Sequence, residues 1–297
     1  MSEPRTVGIV GLGLMGRAFA ARLTQAGCRV VGHDVRPPQG LAGVEMQTSL
    51  ADLAAQSSVL VLAVYDTAQV EQVLFGPGGL AGLPAPRAPV VCTSTCDPDE
   101  IERIAQLCLA QDQPFMEVPF SGTSQQVVRG KGVGLVGGDP ALEAQLAWVL
   151  DILAPRRQHV GRCGDAGRAK LAVNLVLGLH RAALAEGLNF GRCVGLDPGR
   201  LLEIFQGSAA ASSVMPIKGP LMVRRAYDAP QSRVDQSLKD FALIRAQGRK
   251  AGQPLPLASV YVELLESCVA RGEGHLDNAV IHEAIARQGI DQQELST

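Results

Sequence analysis

Thr6-Val7-Gly8-Ile9-Val10-Gly11-Leu12-Gly13-Leu14-Met15-Gly16 decides the fold. An apolar run ends in a GxGxxG turn, and the turn opens into the amphipathic stretch Arg17 to Gln25. Strand, glycine turn and helix in that order have a mechanical reading. Gly11 permits the tight turn, Gly13 lets a pyrophosphate approach the backbone, and Gly16 lets the helix pack closely on the strand. The helix N-terminus then points unpaired N–H groups and the positive end of its dipole at the phosphates. Gly11, Leu12, Gly13, Leu14, Met15 and Gly16 are therefore candidate dinucleotide-binding residues, a ligand-free glycine turn being the plainer alternative.

An acid after the next strand completes the pattern. Arg29-Val30-Val31-Gly32-His33-Asp34 reads as that strand. It sets Asp34 about 20 residues beyond the glycine loop, where a carboxylate can accept hydrogen bonds from the ribose hydroxyls of the adenosine. A 2′-phosphate would be repelled there, which favours NAD over NADP. Arg36 keeps NADP open, because its guanidinium could swing in to bind that phosphate. His33 reads as a strand residue.

Composition narrows the class. The chain has 297 residues, 46% of them hydrophobic, with 27 basic side chains against 29 acidic. That length suggests two domains, and the charge balance gives no reason to expect nucleic acid or a membrane surface as partner. The start Met1-Ser2-Glu3-Pro4-Arg5 lacks the basic and apolar regions of a signal peptide, and no uninterrupted apolar run reaches about 18 residues, so a cytoplasmic location is expected. The seven cysteines are scattered without a CxxC pair, which argues for reduced thiols. Cys92 and Cys96 flank a loop-like Thr93-Ser94-Thr95, and His275, His282 and Glu283 read as surface helix positions. No metal is assigned.

From Thr6 to about Val160, short apolar runs alternate with helical patterns, the signature of an α/β fold with a doubly wound, mostly parallel sheet. Expected strands are Val7 to Val10, Arg29 to Gly32, Val59 to Val64, Pro89 to Thr93, Phe115 to Val118, Gly132 to Gly137 and Arg157 to Val160. Asp66 to Leu74 reads as a helix, and Asp97-Pro98-Asp99-Glu100 as a helix start. The strand ends at Tyr65 and Thr95 would line the carboxyl edge of the sheet. Both are candidate nicotinamide neighbours by location, with packing or capping an equal alternative. Near Gly164 the pattern changes to a long helix over Ala166 to Val194, then to helical periods over Pro198 to Gln206, Val234 to Lys250, Pro256 to Arg271 and Asn278 to Gln288. The expected domains are 1–163, a long helix within 164–195, and an all-α part over 196–297, with the tail Gln292 to Thr297 frayed.

Four separated segments resemble the β-hydroxyacid dehydrogenase family, the relatives of 3-hydroxyisobutyrate dehydrogenase. They are Gly11 to Gly16, Glu117-Val118-Pro119-Phe120-Ser121-Gly122-Thr123, Gly164-Asp165-Ala166-Gly167-Arg168-Ala169-Lys170-Leu171-Ala172-Val173-Asn174, and Leu238-Lys239-Asp240. The resemblance covers nearly the whole chain. It implies a Rossmann-type domain joined by a long interdomain helix to a helical domain, an active site in the cleft between them, and homodimers or homotetramers built through the helical part.

Lys170 and Asn174 are the candidate catalytic pair. Their i, i+4 spacing puts them on one helix face, within reach of one substrate. A hydride leaving an alcohol carbon requires the hydroxyl proton to leave as well. A partly buried lysine near other positive charge can have its pKa lowered enough to act as base or acid, and bound nicotinamide, Lys239 and arginines could supply that field. Ser121, Gly122 and Thr123 offer closely spaced N–H groups and two hydroxyls, which suits a carboxylate, and the resemblance gives them the substrate's carboxyl group. Lys239 matches the family's second lysine, expected over nicotinamide or substrate, while Asp240 could simply cap or pair. The chain departs from the family at Glu117, usually Asp, at Thr123, usually Gly, and at Gln126 and Val127, usually a small Gly-Ala pair. The added bulk changes the expected pocket.

The leading expectation is NAD(P)-dependent oxidation of a small 3-hydroxy acid, or reduction of the matching oxo acid, with Lys170 as general acid/base. The alternatives are an NADPH-preferring aldehyde-acid or glyoxylate-type reductase, a four-carbon sugar-acid (threonate-like) dehydrogenase hinted at by Gln69 to Gly76, and a non-catalytic dinucleotide-binding scaffold. Val173, where 6-phosphogluconate dehydrogenases usually carry histidine, disfavours that branch.

Overall fold

The computed structural model describes residues 5–37 and 40–294. The chain divides into two compact units, Met1–Lys170 and Leu171–Thr297.

Among its described residues the first unit carries nine strands in one sheet. In chain order its elements are β1 (Thr6–Val10), α1 (Leu14–Gln25), β2 (Arg29–His33), β3 (Val44–Met46), α2 (Leu50–Gln56), β4 (Val59–Leu62), α3 (Thr67–Phe75), β5 (Val90–Cys92), α4 (Pro98–Ala110), β6 (Phe115–Glu117), β7 (Phe120–Ser121), α5 (Ser124–Val128), β8 (Val133–Gly137), α6 (Pro140–Gln145), α7 (Ala147–Leu153) and β9 (Arg156–Gly161). The strand order is β3-β2-β1-β4-β5-β6-β8-β7, with β9 pairing β8. From β3 to β6 every pairing is parallel, while β8 runs antiparallel to β6 and β7.

The period of two along the strands builds two cores. Val59, Val61 and Val91 join one apolar cluster with Phe19 and Leu23 of α1 and Leu150 of α7. Leu60, Leu62, Val90 and Cys92 join another with Val70 of α3 and Ile101 of α4. Alternate side chains pointing to opposite faces, each covered by helices, make the sheet doubly wound.

Helix α8 (Asp165–Cys193) begins in the first unit and runs on through the boundary. The second unit continues with α9 (Pro198–Gly207), α10 (Met215–Arg224), α11 (Val234–Lys250), α12 (Pro256–Ala270) and α13 (Ile281–Glu294), and no strand occurs among its described residues. Its core gathers Leu184 and Leu188 of α8 with Leu201, Phe241 and Tyr261. Gly178 makes the close approach possible, since a Cβ there would lie 2.4 Å from the Phe241 ring.

The expected strands all form. β3 and β7 were not expected; with three residues and two, they carry too little pattern to read. α10 also escapes the sequence, because Pro216 and Pro220 read as breakers. Pro216 sits in the first turn, where its missing N–H costs nothing, while Pro220 is accommodated inside the helix. His282 is a correction. It is buried, its carbonyl accepting from Asn189 Nδ2 at 2.8 Å, because α13 turns that side inward. Of the tail expected to fray, Gln292 to Glu294 continue α13, and Leu295 to Thr297 lie outside the described residues.

Candidate active site

The glycine loop has the geometry a dinucleotide needs. Gly11 has φ +90°, and a Cβ there would meet the Ala63 carbonyl at 2.6 Å; at Gly16 it would strike the Gly11 carbonyl. Gly13 faces open space, with nothing within 4 Å of where a Cβ would stand. Two glycines thus close the turn while the third leaves its outer face bare. α1 follows Gly13 as its N-cap, without a side-chain cap and with no acid in its first turn, so its N–H groups and dipole are available to a phosphate. These residues fit a bound NAD or NADP.

Asp34 braces the loop. Its Oδ2 accepts the Leu12 N–H at 2.7 Å, and its Oδ1 accepts the Arg36 N–H at 2.8 Å. Leu12 also gives its carbonyl to Arg17 Nε, and its side chain is buried. Leu12 therefore spends its N–H on Asp34 and turns its side chain into the core. The carboxylate keeps lone pairs for a ribose hydroxyl. Arg36 is exposed.

Tyr65 and Thr95 stand just past the carboxyl ends of β4 and β5, as expected. Tyr65 is 42% exposed, its N–H donating to Gln69 Oε1. Thr93 and Ser94 donate their hydroxyls to the Leu62 and Val64 carbonyls, stitching the two strand ends together.

Farther along the sheet, Gly122 adopts φ +138° between Ser121 and Thr123. Thr123 and Gln126 form a capping box: Thr123 N–H donates to Gln126 Oε1 at 2.8 Å, and Thr123 Oγ1 accepts the Gln126 N–H at 3.3 Å. The expectation that the Thr123 N–H is offered to a carboxylate is therefore corrected, since Gln126 takes it. The Thr123 hydroxyl accepts in that box and keeps its own proton to donate.

Lys170 is buried on α8, with 7% of its surface exposed. One turn on, Asn174 Nδ2 donates to Asp240 Oδ2 at 2.8 Å, and Asp240 Oδ1 lies 3.1 Å from Lys239 Nζ. A carboxylate only accepts, so Asp240 fixes the Asn174 amide with its carbonyl oxygen facing away. The pairing role left open for Asp240 is the one the structure shows. The start of α8 is held too: Arg168 reaches Asp99 at 2.7 Å and Glu102 at 3.3 Å on α4, and the Gly164 N–H donates to Glu117 Oε2 at 2.8 Å. Sequence reasoning met Glu117 only as a departure in size within the substrate segment and gave it no partner; the signal for its burial was an acid set among apolar residues in Phe115-Met116-Glu117-Val118. Among the described residues no group of three or more His, Cys, Asp or Glu is placed to hold a metal ion.

Known proteins resemble this chain over most of its length. The NAD binding domain of 6-phosphogluconate dehydrogenase matches residues 6–161, and the NAD-binding domain of NADP-dependent 3-hydroxyisobutyrate dehydrogenase matches residues 164–285. The chain is 27% identical to 2-hydroxy-3-oxopropionate reductase of Escherichia coli, over 94% of this chain and 96% of that protein. It is 28% identical to L-threonate dehydrogenase of Cupriavidus necator, over 93% and 95%. A crystal structure of 3-hydroxyisobutyrate dehydrogenase from Salmonella typhimurium superposes with a TM-score of 0.85 at 28% identity, covering 94% of this chain and 99% of that one. With its glycine loop, its Lys170–Asn174 helix and both domain matches in place, the chain belongs to the β-hydroxyacid dehydrogenase family of NAD(P)-dependent oxidoreductases.

Proposed function

We propose that the chain oxidises a small 3-hydroxy acid at its alcohol carbon, or reduces the matching oxo acid, with Lys170 carrying the proton. The observation that carries this reading is a buried lysine one helical turn before an asparagine whose amide orientation Asp240 fixes. The dinucleotide, when bound, supplies the hydride acceptor or donor. In oxidation the neutral Lys170 amine takes the hydroxyl proton, and in reduction its ammonium returns it. The Asn174 carbonyl oxygen accepts a hydrogen bond from either the lysine or the substrate hydroxyl, steering the proton without titrating. Ser121, Gly122 and the Thr123 hydroxyl hold the substrate carboxylate, the Thr123 N–H being taken by Gln126. Lys239, tied to Asn174 through Asp240, adds positive charge for the acid.

Asp34 supports NAD as the preferred carrier, with NADP accepted through the exposed Arg36, and Tyr65 and Thr95 are assigned to the nicotinamide end. The relatives named for a 2-hydroxy-3-oxopropionate and for threonate support a short, polar substrate. The chain works as a homo-oligomer in the cytoplasm. Helix α8 is long and apolar enough to cross a membrane by length and composition, and it exposes Val176 and Phe190. Yet Arg168, Lys170, Arg181 and Arg192 also stand on it, so a second copy of the chain is the better cover for that face.

The test is the initial rate of reduced-nicotinamide absorbance with NAD and NADP separately, across hydroxyisobutyrate, serine, glycerate, threonate and larger hydroxy acids. Lys170→Ala should lower kcat by about 100-fold or more while dinucleotide binding persists. Intact turnover in that variant would end the assignment.

A further inference from the structure

Glu117 closes β6 with none of its surface exposed. Its Oε2 accepts the Gly164 N–H at 2.8 Å, and its Oε1 is buried without a well-formed hydrogen bond. Two glycines make room for it. A Cβ at Gly167 would stand 2.7 Å from Oε1, and one at Gly137 3.2 Å from Oε2. Gly164 is the residue before α8 and Gly167 lies in its first turn, so the carboxyl sits against the positive end of the helix that presents Lys170 between one and two turns later.

We propose that Glu117 is a positioning residue for Lys170: its carboxylate draws in the N–H groups that open α8, and protonation slackens that hold. The inference rests on Lys170 being the proton carrier. Burial raises the Glu117 carboxyl to about 7, opposed by the Gly164 and Gly167 N–H groups and by Arg168. The charged groups nearby on α8 are Arg168 and Asp165, and Arg168 is itself bound to Asp99 and Glu102 of α4. Two thiols face the carboxyl and stay neutral near pH 7. Cys92 of β5 is held well above the usual thiol range by its hydrogen bond with Cys96 and by burial, and Cys163 is pushed up to about 12 by burial. Glu117 is thus the group in this cluster whose charge changes near neutrality.

The test compares wild type, Glu117→Gln and Glu117→Asp in kcat against pH, together with hydrogen exchange of the peptide spanning 160–172. In wild type kcat should rise as the pH passes through 7. The glutamine variant should lose that limb and show kcat lowered about tenfold at pH 8, with KM little changed. Exchange at the helix start should be faster in the glutamine variant than in wild type at pH 8, and equal at pH 5.5. The aspartate variant, one methylene short, should keep a limb at a shifted midpoint and with reduced kcat. A limb near 7 that persists unchanged in both variants, at wild-type kcat, would overturn the proposal and assign the limb to Lys170. Absence of all dehydrogenase activity in wild type would sink the lysine reading. The exchange difference would still report whether Glu117 anchors the helix, and equal exchange at both pH values would reject that anchoring.

Discussion

Asp277 in the helical unit and Glu117 in the sheet unit are both carboxyls with no exposed surface, and their surroundings could hardly be more different. Asp277 holds the Lys218 ammonium with both oxygens at 2.8 Å, and takes the Gln231 and Ala279 N–H groups besides. The network ties α10 to the segments at Ser232 and Asn278, where the Lys218 ammonium also reaches Ser232 Oγ. Glu117 has one good N–H bond and a buried oxygen without one. Arg168 acts on it only through its field, since that guanidinium bonds to Asp99, Glu102 and Asp165. A buried carboxyl with every lone pair engaged is a structural clamp, whereas one left partly engaged keeps a proton affinity near neutral pH.

The sharpest way to break the comparison is to open the clamp. Lys218→Met keeps the side chain's bulk but leaves Asp277 as an uncompensated buried charge, and should destabilise the fold by about 3–5 kcal/mol in urea denaturation. Adding Asp277→Asn should restore part of the loss, because it removes the uncompensated charge although its NH2 then faces one of the two N–H donors. If Lys218→Met were as stable as wild type, the pair would not be the clamp its geometry describes.

The next effect is a pH dependence with a definite sign. The folded-state pKa of Glu117, about 7, lies above the ordinary carboxylate value of 4.5. Between those values the folded chain keeps a proton that the unfolded chain has released, so this contribution is full below 4.5 and is lost as pH rises through 7. The loss amounts to about 3 kcal/mol. Ionisation thus costs global stability even as it tightens the start of α8. Relative to Glu117→Gln, wild type should therefore lose most of that unfolding free energy between pH 5 and pH 8. A flat difference would mean that Glu117 titrates like an exposed glutamate.

Asp240 stands between these extremes, bonded to Asn174 and Lys239 while 8% exposed. Asp240→Asn lets the Asn174 amide turn over and releases Lys239. kcat/KM should fall by about 2 kcal/mol, roughly 30-fold, with the fold intact by circular dichroism. Unchanged kcat/KM would place the amide's orientation outside catalysis.

These differences mark where the sequence could be read. The glycine turn, the placement of Asp34 after β2 and the shared helix face of Lys170 and Asn174 are legible because they depend on local spacing. A turn, a strand end and one helical face are all fixed by near neighbours. The chemical partners of those residues are not local. Asp240 meets Asn174 across 66 positions, Gly164 meets Glu117 across 47, and Lys218 meets Asp277 across 59. Gln126 was visible as a departure in size, but that its side chain would occupy the Thr123 N–H depends on the turn the backbone takes there. α10 stayed hidden for the opposite reason, its local proline signal being overridden by packing of Met215 and Met222 into the core.

The smallest effect separates the carboxyl's grip from ordinary helix preference. Alanine is favoured over glycine in a helix by up to about 1 kcal/mol, so Gly167→Ala should stabilise α8 if nothing lay against it. With Glu117 present, the new Cβ would stand 2.7 Å from Oε1, and either the carboxyl or the first turn must shift. The substitution should therefore lower stability by about 1 kcal/mol in wild type and raise it by about 0.5 kcal/mol in a Glu117→Ala background. A coupling energy near zero in that double-mutant cycle would mean the two residues do not press on each other. Glu117 would then reach the helix through Gly164 alone, and the comparison with Asp277 would reduce to a difference in burial rather than in how a helix is held.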